Sequence, residues 1–211
     1  MPGLVHGLEV DVIRRNLARV RERAGPDVEI LAATKYVPDE EMGALRDAGV
    51  EVVGENRLQD MERKQERWGD AFEWDFIGNL QSRKVKDVLP RVRLIHSVAT
   101  DSALRQLERH GSPDTRVLVE VNVAGEESKG GVIPAELGEF IARCPVAVVG
   151  LMTMPPFTQD PEASRPHFAR LAELASEHGL STLSMGTSQD WEVALDEGAT
   201  LLRLGTTLYA P

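Results

Sequence analysis

A chain of 211 residues with 42% hydrophobic content carries enough apolar surface for one well-buried domain and is short for two. A formal charge of −10 argues against a surface built for nucleic acid or anionic membrane, because both need clustered Lys and Arg. The single cysteine, Cys144, excludes an intramolecular disulfide and any zinc site built from several thiolates. No stretch near the N-terminus reads as a signal peptide and no run approaches the roughly 18 apolar residues of a membrane span. One domain over residues 1–211, in a reduced, cytoplasmic compartment, is therefore the expectation.

Residues 4–24 place Leu4, Leu8, Val12, Leu17 and Val20 at helical spacing with arginines between them, and Gly25-Pro26 closes the pattern. An amphipathic helix is expected there. The next run, Ile30 to Val37, is short, apolar and stopped by Pro38, the pattern of a strand buried on both faces. Pro38 and the acids Asp39, Glu40 and Glu41 open a helix to 48, with Gly49 as its cap. Further strands are expected over 50–53, 73–77, 93–98, 117–123, 146–152, 182–185 and 200–204. Helices are expected over 57–68 and 161–178, with shorter ones between the other strands. The loop 124–131 is rich in glycine and charge and is expected to be mobile.

Eight strands alternating with helices, at a spacing of about 25 residues, point to a parallel sheet with right-handed crossovers. The count of eight favours a closed (β/α)8 TIM barrel with an extra N-terminal helix over an open doubly wound sheet. The first strand-to-helix turn carries a lysine and no glycine fingerprint, so dinucleotide binding is not expected.

In such a barrel the strands' C-terminal ends form the active face. Lys35, Asn56, Gly78, His96, Asn122, Met152, the turn 184–188 and the turn 203–207 are collected there. Lys35 has two readings: a lysine snorkelling from a strand tip to water, or an amine held in a poorly solvated cleft and able to form a Schiff base with an aldehyde. The last two turns offer glycine and hydroxyls, Thr187 and Ser188 on one and Thr206 and Thr207 on the other, as a cradle for a phosphate dianion. Arg203 interrupts an apolar strand, and a buried arginine needs partners because its charge cannot be removed. It either pairs with a carboxylate such as Glu120 or donates to a cofactor nitrogen. A Schiff-base lysine, a phosphate cradle and an arginine for a ring nitrogen describe pyridoxal 5'-phosphate. His96 reads as pocket lining without a carboxylate partner in its motif, and the charge run 62–67 reads as exposed helix surface.

Ala33-Thr34-Lys35, Gly54-Glu55-Asn56, Phe76-Ile77-Gly78-Asn79-Leu80-Gln81-Ser82-Arg83-Lys84, His96-Ser97-Val98, Val121-Asn122-Val123, Ser128-Lys129-Gly130-Gly131, Gly150-Leu151-Met152, Leu183-Ser184-Met185-Gly186 and Arg203-Leu204-Gly205-Thr206 follow one another in order. In these motifs the sequence resembles the YggS/PROSC family of pyridoxal phosphate homeostasis proteins, whose fold is like the N-terminal barrel of bacterial alanine racemase. The resemblance implies that Lys35 is the Schiff-base lysine, that Arg203 faces the pyridine nitrogen, that Ser188, Gly205 and Thr206 hold the phosphate, and that Asn56 lies near the ring. It further implies a monomeric carrier of pyridoxal 5'-phosphate whose partners are apo-enzymes that need the cofactor. Thr187 and Trp191 depart from the family, which often has methionines there, and the end at Tyr209-Ala210-Pro211 implies a short last helix. An amino-acid racemase or related cofactor-dependent enzyme is the alternative, and a cofactor-free aldolase a third reading that leaves Arg203 unexplained. Racemisation needs a base on each face of the cofactor. In alanine racemase the second base is a tyrosine from another domain, which is not expected here.

Overall fold

The structure, a computed structural model, describes residues 4–126 and 130–211. Along the chain lie α1 (Val10–Ala24), β1 (Glu29–Ala33), α2 (Met42–Asp47), β2 (Val52–Glu55), α3 (Leu58–Trp68), β3 (Glu73–Phe76), α4 (Val85–Val88), β4 (Leu94–Val98) and α5 (Asp101–His110). There follow β5 (Arg116–Glu120), α6 (Leu137–Ala142), β6 (Ala147–Met152), α7 (Arg165–Glu177), β7 (Thr182–Thr187), α8 (Trp191–Asp196), β8 (Leu201–Leu204) and α9 (Thr206–Tyr209). The strands pair in sequence order, all parallel, and β1 closes on β8 from Glu29 opposite Leu201 to Ala32 opposite Leu204. Closure leaves no sheet edge to protect. This is the expected eight-stranded barrel. No helix among the described residues is long and apolar enough to cross a membrane.

Alternation along the strands builds two cores. Leu31, Val52, Leu94, Leu118, Met152 and Leu201 pack together as one cluster inside the barrel. Their neighbours Ala32, Val53, Ile95, Val117, Leu151 and Leu202 join the larger cluster between sheet and helices. The inner set is small because other inward positions, Asp75, His96, Ser184 and Arg203, are polar and buried.

Element ends differ from the sequence expectation where side chains compete for the backbone. The first helix starts at Val10 and not at residue 4, because Gly7 turns with φ of 71° and the Glu41 carboxylate accepts from the amides of Gly7 and Leu8 at 2.7 and 3.0 Å. The preceding residues form a strap whose Val5 N–H donates to the Tyr36 carbonyl at 2.8 Å. The strand expected over 50–53 is shifted to Val52–Glu55, which draws Glu55 into the sheet. Within the loop 124–131, residues 127–129, including Ser128 and Lys129 of the family motif, lie outside the described residues.

The last helix is one turn long, yet the barrel closes. Leu208 is fully buried and α9 lies against α1. Asn16 of α1 donates its side-chain amide to the carbonyls of Leu208 and Ala210 at 3.2 and 2.8 Å. Replacing Asn16 with Ala is expected to lower unfolding free energy by about 1 kcal/mol, the usual net worth of such bonds. Urea denaturation followed by circular dichroism measures the loss, and an unchanged midpoint would show that these two bonds add nothing to the docking of α9.

Candidate functional site

The C-terminal ends of the strands open onto a cavity of about 510 Å³, a usual size for a small-molecule site. Lys35, Asn56, Ser188, Arg203, Gly205 and Thr206, the six residues singled out from the sequence, all line it, together with Tyr36, Glu120, Met152 and Tyr209. They come from four strand-to-helix connections, those after β1, β2, β7 and β8, and from the inward face of β8 itself. Barrel closure is what brings them together.

Lys35 follows β1 and is exposed to solvent, its ammonium 4.9 Å from the centre of the Tyr36 ring. Of the two readings of Lys35, the exposure is that of a lysine reaching water from a strand tip, and its amine also lines the cavity. Asn56 also lines the cavity, with its side-chain oxygen buried and without a hydrogen-bond partner among the described residues, an acceptor available to a ligand donor. Gly78 admits the Asn56 backbone closely, since a Cβ there would stand 2.0 Å from the Asn56 carbonyl oxygen.

The two last turns divide their labour differently from the sequence expectation. The hydroxyl and amide of Thr187 both donate to the buried Asp190 carboxylate, at 3.0 and 2.7 Å, and the Thr207 hydroxyl donates to the Ser188 carbonyl at 3.3 Å. Neither hydroxyl is free for an anion. Gly186, at φ of 86°, serves close packing of β7 on α8, where a Cβ would meet that of Ala194 at 2.6 Å. The Ser188 hydroxyl oxygen instead accepts from the amides of Gly205 and Thr207, at 3.0 and 3.1 Å. Two backbone N–H groups thus converge on one oxygen, as they would on an oxygen of a phosphate. Around Gly205 the space is open: a Cβ would find only the Ala33 carbonyl, at 3.9 Å.

Arg203 is buried and held by four acceptors. One terminal nitrogen donates to the Ser184 carbonyl and hydroxyl at 2.7 and 2.5 Å, the other to the Thr153 carbonyl at 2.9 Å and the Met154 sulfur. Those bonds occupy the four terminal hydrogens, which leaves Nε–H as the donor for a cavity ligand. Burial lowers its pKa to about 10, an effect opposed through space by Asp190 and Glu120, so the guanidinium stays charged at neutral pH. The pairing considered from the sequence is thus replaced by carbonyl and hydroxyl acceptors. Glu120 feels the same burial, which raises its carboxyl, while Arg203 pulls it back down.

His96 corrects another expectation, for it is fully buried behind the cavity and does have a carboxylate partner. Its Nδ1 is 2.9 Å from the Ser184 hydroxyl and its Nε2 is 3.0 Å from Asp75. Because Ser184 accepts from Arg203, its own hydrogen goes to His96 Nδ1. Nε2 then carries the ring hydrogen and donates it to Asp75, the tautomer that the network requires. Asp75 is held in turn by Arg93 at 2.8 and 3.1 Å, and Arg93 by Glu29. A continuous polar chain runs from the floor of the barrel to the cavity. Sequence reading missed Asp75, although a carboxylate inside the strand Glu73–Phe76 is the same kind of signal that singled out Arg203. It also placed Lys64 on the surface, whereas Lys64 is 1% exposed and paired with the buried Glu55. Leu58, Met61, Lys64 and Trp68 share the buried face of α3, so helical phase carried the clue.

The family model of the alanine racemase N-terminal domain matches residues 8–211. A pyridoxal phosphate homeostasis protein of Aquifex aeolicus is 42% identical over 217 aligned residues, covering 93% of this chain and 95% of that protein. The chain belongs to this family. A second homeostasis protein, from Pseudomonas aeruginosa, is 38% identical over 93% of each chain. Among solved structures, PipY of Synechococcus elongatus with PLP bound superposes at a TM-score of 0.82 with 30% identity, covering 94% of this chain and all of that one. The alanine racemase of Corynebacterium glutamicum shares the fold at a TM-score of 0.76 and 17% identity, with 63% of its length covered.

In this family member the buried His96 has a lowered pKa, chiefly through burial, with Asp75 opposing. A cationic group whose folded pKa lies below the unfolded value of 6.5 contributes stability that is present above that value and lost as pH falls beneath it. His96→Gln is expected to flatten the loss of melting temperature between about pH 7 and pH 5. Thermal melts across that range decide it; parallel curves for parent and variant would remove His96 from the acid response.

Proposed function

We propose that this barrel binds pyridoxal 5'-phosphate covalently through Lys35 and, as a monomer in the cytoplasm, buffers the cofactor or delivers it to apo-enzymes. The observation that carries the reading is the convergence, in one cavity, of an accessible lysine amine, an arginine with one spare N–H, and two backbone amides meeting at Ser188. When bound, the cofactor supplies an aldehyde that a primary amine can capture and a ring that can withdraw electrons. Lys35 provides the amine. Ser188, Gly205, Thr206 and the Thr207 amide provide donors for the phosphate, Asn56 stands by the ring, and Arg203 Nε–H donates to the ring nitrogen. The donor set fits the group: polar at the two ends and apolar between, where Ile77 and Met152 line the wall.

The same geometry argues against efficient amino-acid turnover. A guanidinium that remains charged donates a hydrogen bond to a ring nitrogen without giving up its proton, so the ring is left a weak electron sink. Of the two tyrosines, Tyr36 lies beside Lys35. The Tyr209 hydroxyl donates to the Ala33 carbonyl at 3.0 Å, and burial raises its pKa, so it does not serve as a base on the opposite face. A carrier needs capture and release, and an exposed amine at a cavity mouth allows both.

Lys35→Ala is expected to abolish the yellow colour of the loaded protein while leaving the melting temperature of the cofactor-free protein unchanged, because an exposed lysine contributes little to the core. Borohydride reduction and peptide mapping locate the adduct, and an adduct on any other lysine would remove Lys35 as attachment point. Ser188→Ala is expected to weaken retention by roughly 1 to 2 kcal/mol, the scale of a hydrogen bond to a charged group. Pyridoxal lacking the phosphate should be held far less well; equal affinity for both forms would remove the cradle. With L-alanine, chiral chromatography should detect turnover well below about 1 per second, the lower end of ordinary enzymes. Faster racemisation would make the protein an enzyme.

A further inference from the structure

Lys35 is the residue on which the proposed function turns, yet among the described residues its side chain has no hydrogen bond to hold it; its contact is the face of the Tyr36 ring. Where its amine stands is therefore set by the backbone from which it hangs. That backbone is tied down by side chains from other elements. The Tyr209 hydroxyl holds the carbonyl of Ala33 at 3.0 Å, and Lys64 Nζ holds the carbonyl of Thr34 at 2.7 Å. The Thr34 carbonyl also accepts from the Val37 amide at 2.8 Å, closing the turn in which Lys35 sits.

Lys64 reaches this carbonyl from α3 as half of a buried ion pair with Glu55. The Glu55 carboxylate has one oxygen on Lys64 and on the Thr34 hydroxyl, the latter at 2.8 Å, and the other on the Asn56 amide at 3.1 Å. Thr34 and Glu55 are fully buried, and every polar atom of the pair that is accounted for points at a peptide or side chain next to Lys35 or Asn56. Core stability alone does not call for such a pair, since replacing a buried ion pair by apolar groups of similar volume is often neutral.

We propose that Lys64 and Glu55 are positioning residues: their buried pair clamps the carbonyl before Lys35 and the amide of Asn56, and so sets where the lysine amine and the asparagine stand in the cavity. The proposal rests on the reading of Lys35 as the cofactor's attachment point. It assigns a task to two charged residues that touch neither the ring nor the phosphate. It also explains why a lysine lies on the apolar face of α3, where leucine would pack.

The test uses the full chain and a variant that leaves no charge stranded, Glu55→Gln with Lys64→Met. Lys64→Met alone buries an unpaired carboxylate and is made only for comparison. In the cofactor-free protein, amide hydrogen exchange at Val37 and Asn56 is expected to rise about tenfold in the double variant, while the amides of β5 and β6 keep parental protection. Cofactor uptake, followed by its visible absorbance, should weaken by about tenfold, the scale of one lost charge-assisted bond. The pH at which the absorbance of the loaded protein changes should move as well, a response that a merely structural pair would not give. Parental exchange at both amides, or parental cofactor affinity in a double variant that melts with the parent, overturns the proposal. The exchange arm needs no cofactor, so a parent that took up none would defeat the binding reading while the clamp was still tested.

Discussion

A guanidinium charge that cannot be removed lies inside this barrel, and the polar half of the interior is arranged to satisfy it. Arg203 sits on β8 directly opposite Leu31 of β1, at a level where a purely apolar barrel would place another leucine. Its burial is tolerated because two carbonyls, a hydroxyl and a sulfur accept from it, and because Glu120 and Asp190 supply negative potential without direct contact. Ser184 accepts from Arg203 and donates to His96, and His96 donates in turn to Asp75. One unremovable charge thereby fixes a tautomer, a rotamer and an ion pair on three other strands.

The polar chain has a bottom as well as a top. Arg93 bridges Asp75 and Glu29 at the N-terminal end of the barrel, where hydrogen bonds to both carboxylates, Glu29 first, raise its pKa. The apolar cluster of Leu31, Val52, Leu94, Leu118, Met152 and Leu201 fills the remaining inner space. Opposite halves of a (β/α)8 barrel ordinarily divide into a stability face and a functional face. Here the same network serves both, so that the arginine facing the cavity is braced against the floor.

On the outer face of the sheet, the buried pair of Lys64 and Glu55 is proposed to do comparable work for the other end of the site. Lys64 and Glu55 lie between α3 and β2 and reach the carbonyl that precedes Lys35 and the amide of Asn56. On that proposal the cavity is braced from within the barrel at Arg203 and from the helical layer at Lys35, with the exposed amine between them. Under the proposed function, that division would let donors at Ser188 and Arg203 hold the cofactor while the amine exchanges partners at its aldehyde.

Much of this was legible in the sequence. Apolar runs separated by amphipathic stretches gave eight strands and their order, because strand burial and helix amphipathicity are local consequences of residue period. Lys35 and Arg203 stood out because a charge at the end or in the middle of an apolar run is expensive wherever the run is buried. The partners of those charges were not legible. Asp75, His96 and Ser184 are 21 and 88 residues apart along the chain as bonded pairs, and nothing in a one-dimensional pattern says which inward positions of a closed barrel will meet. Lys64 looked like surface because its neighbours Arg63, Glu66 and Arg67 are surface. Only the docking of α3 on β2 turned it toward Glu55. Likewise the two turns offered Thr187, Ser188, Thr206 and Thr207 alike until Asp190 and the Ser188 carbonyl claimed the hydroxyls of Thr187 and Thr207. Local period determined the elements and the side of each that is buried; the register of closure decided which buried polar groups found one another, because hydrogen bonds require contact and contact is set by the whole barrel.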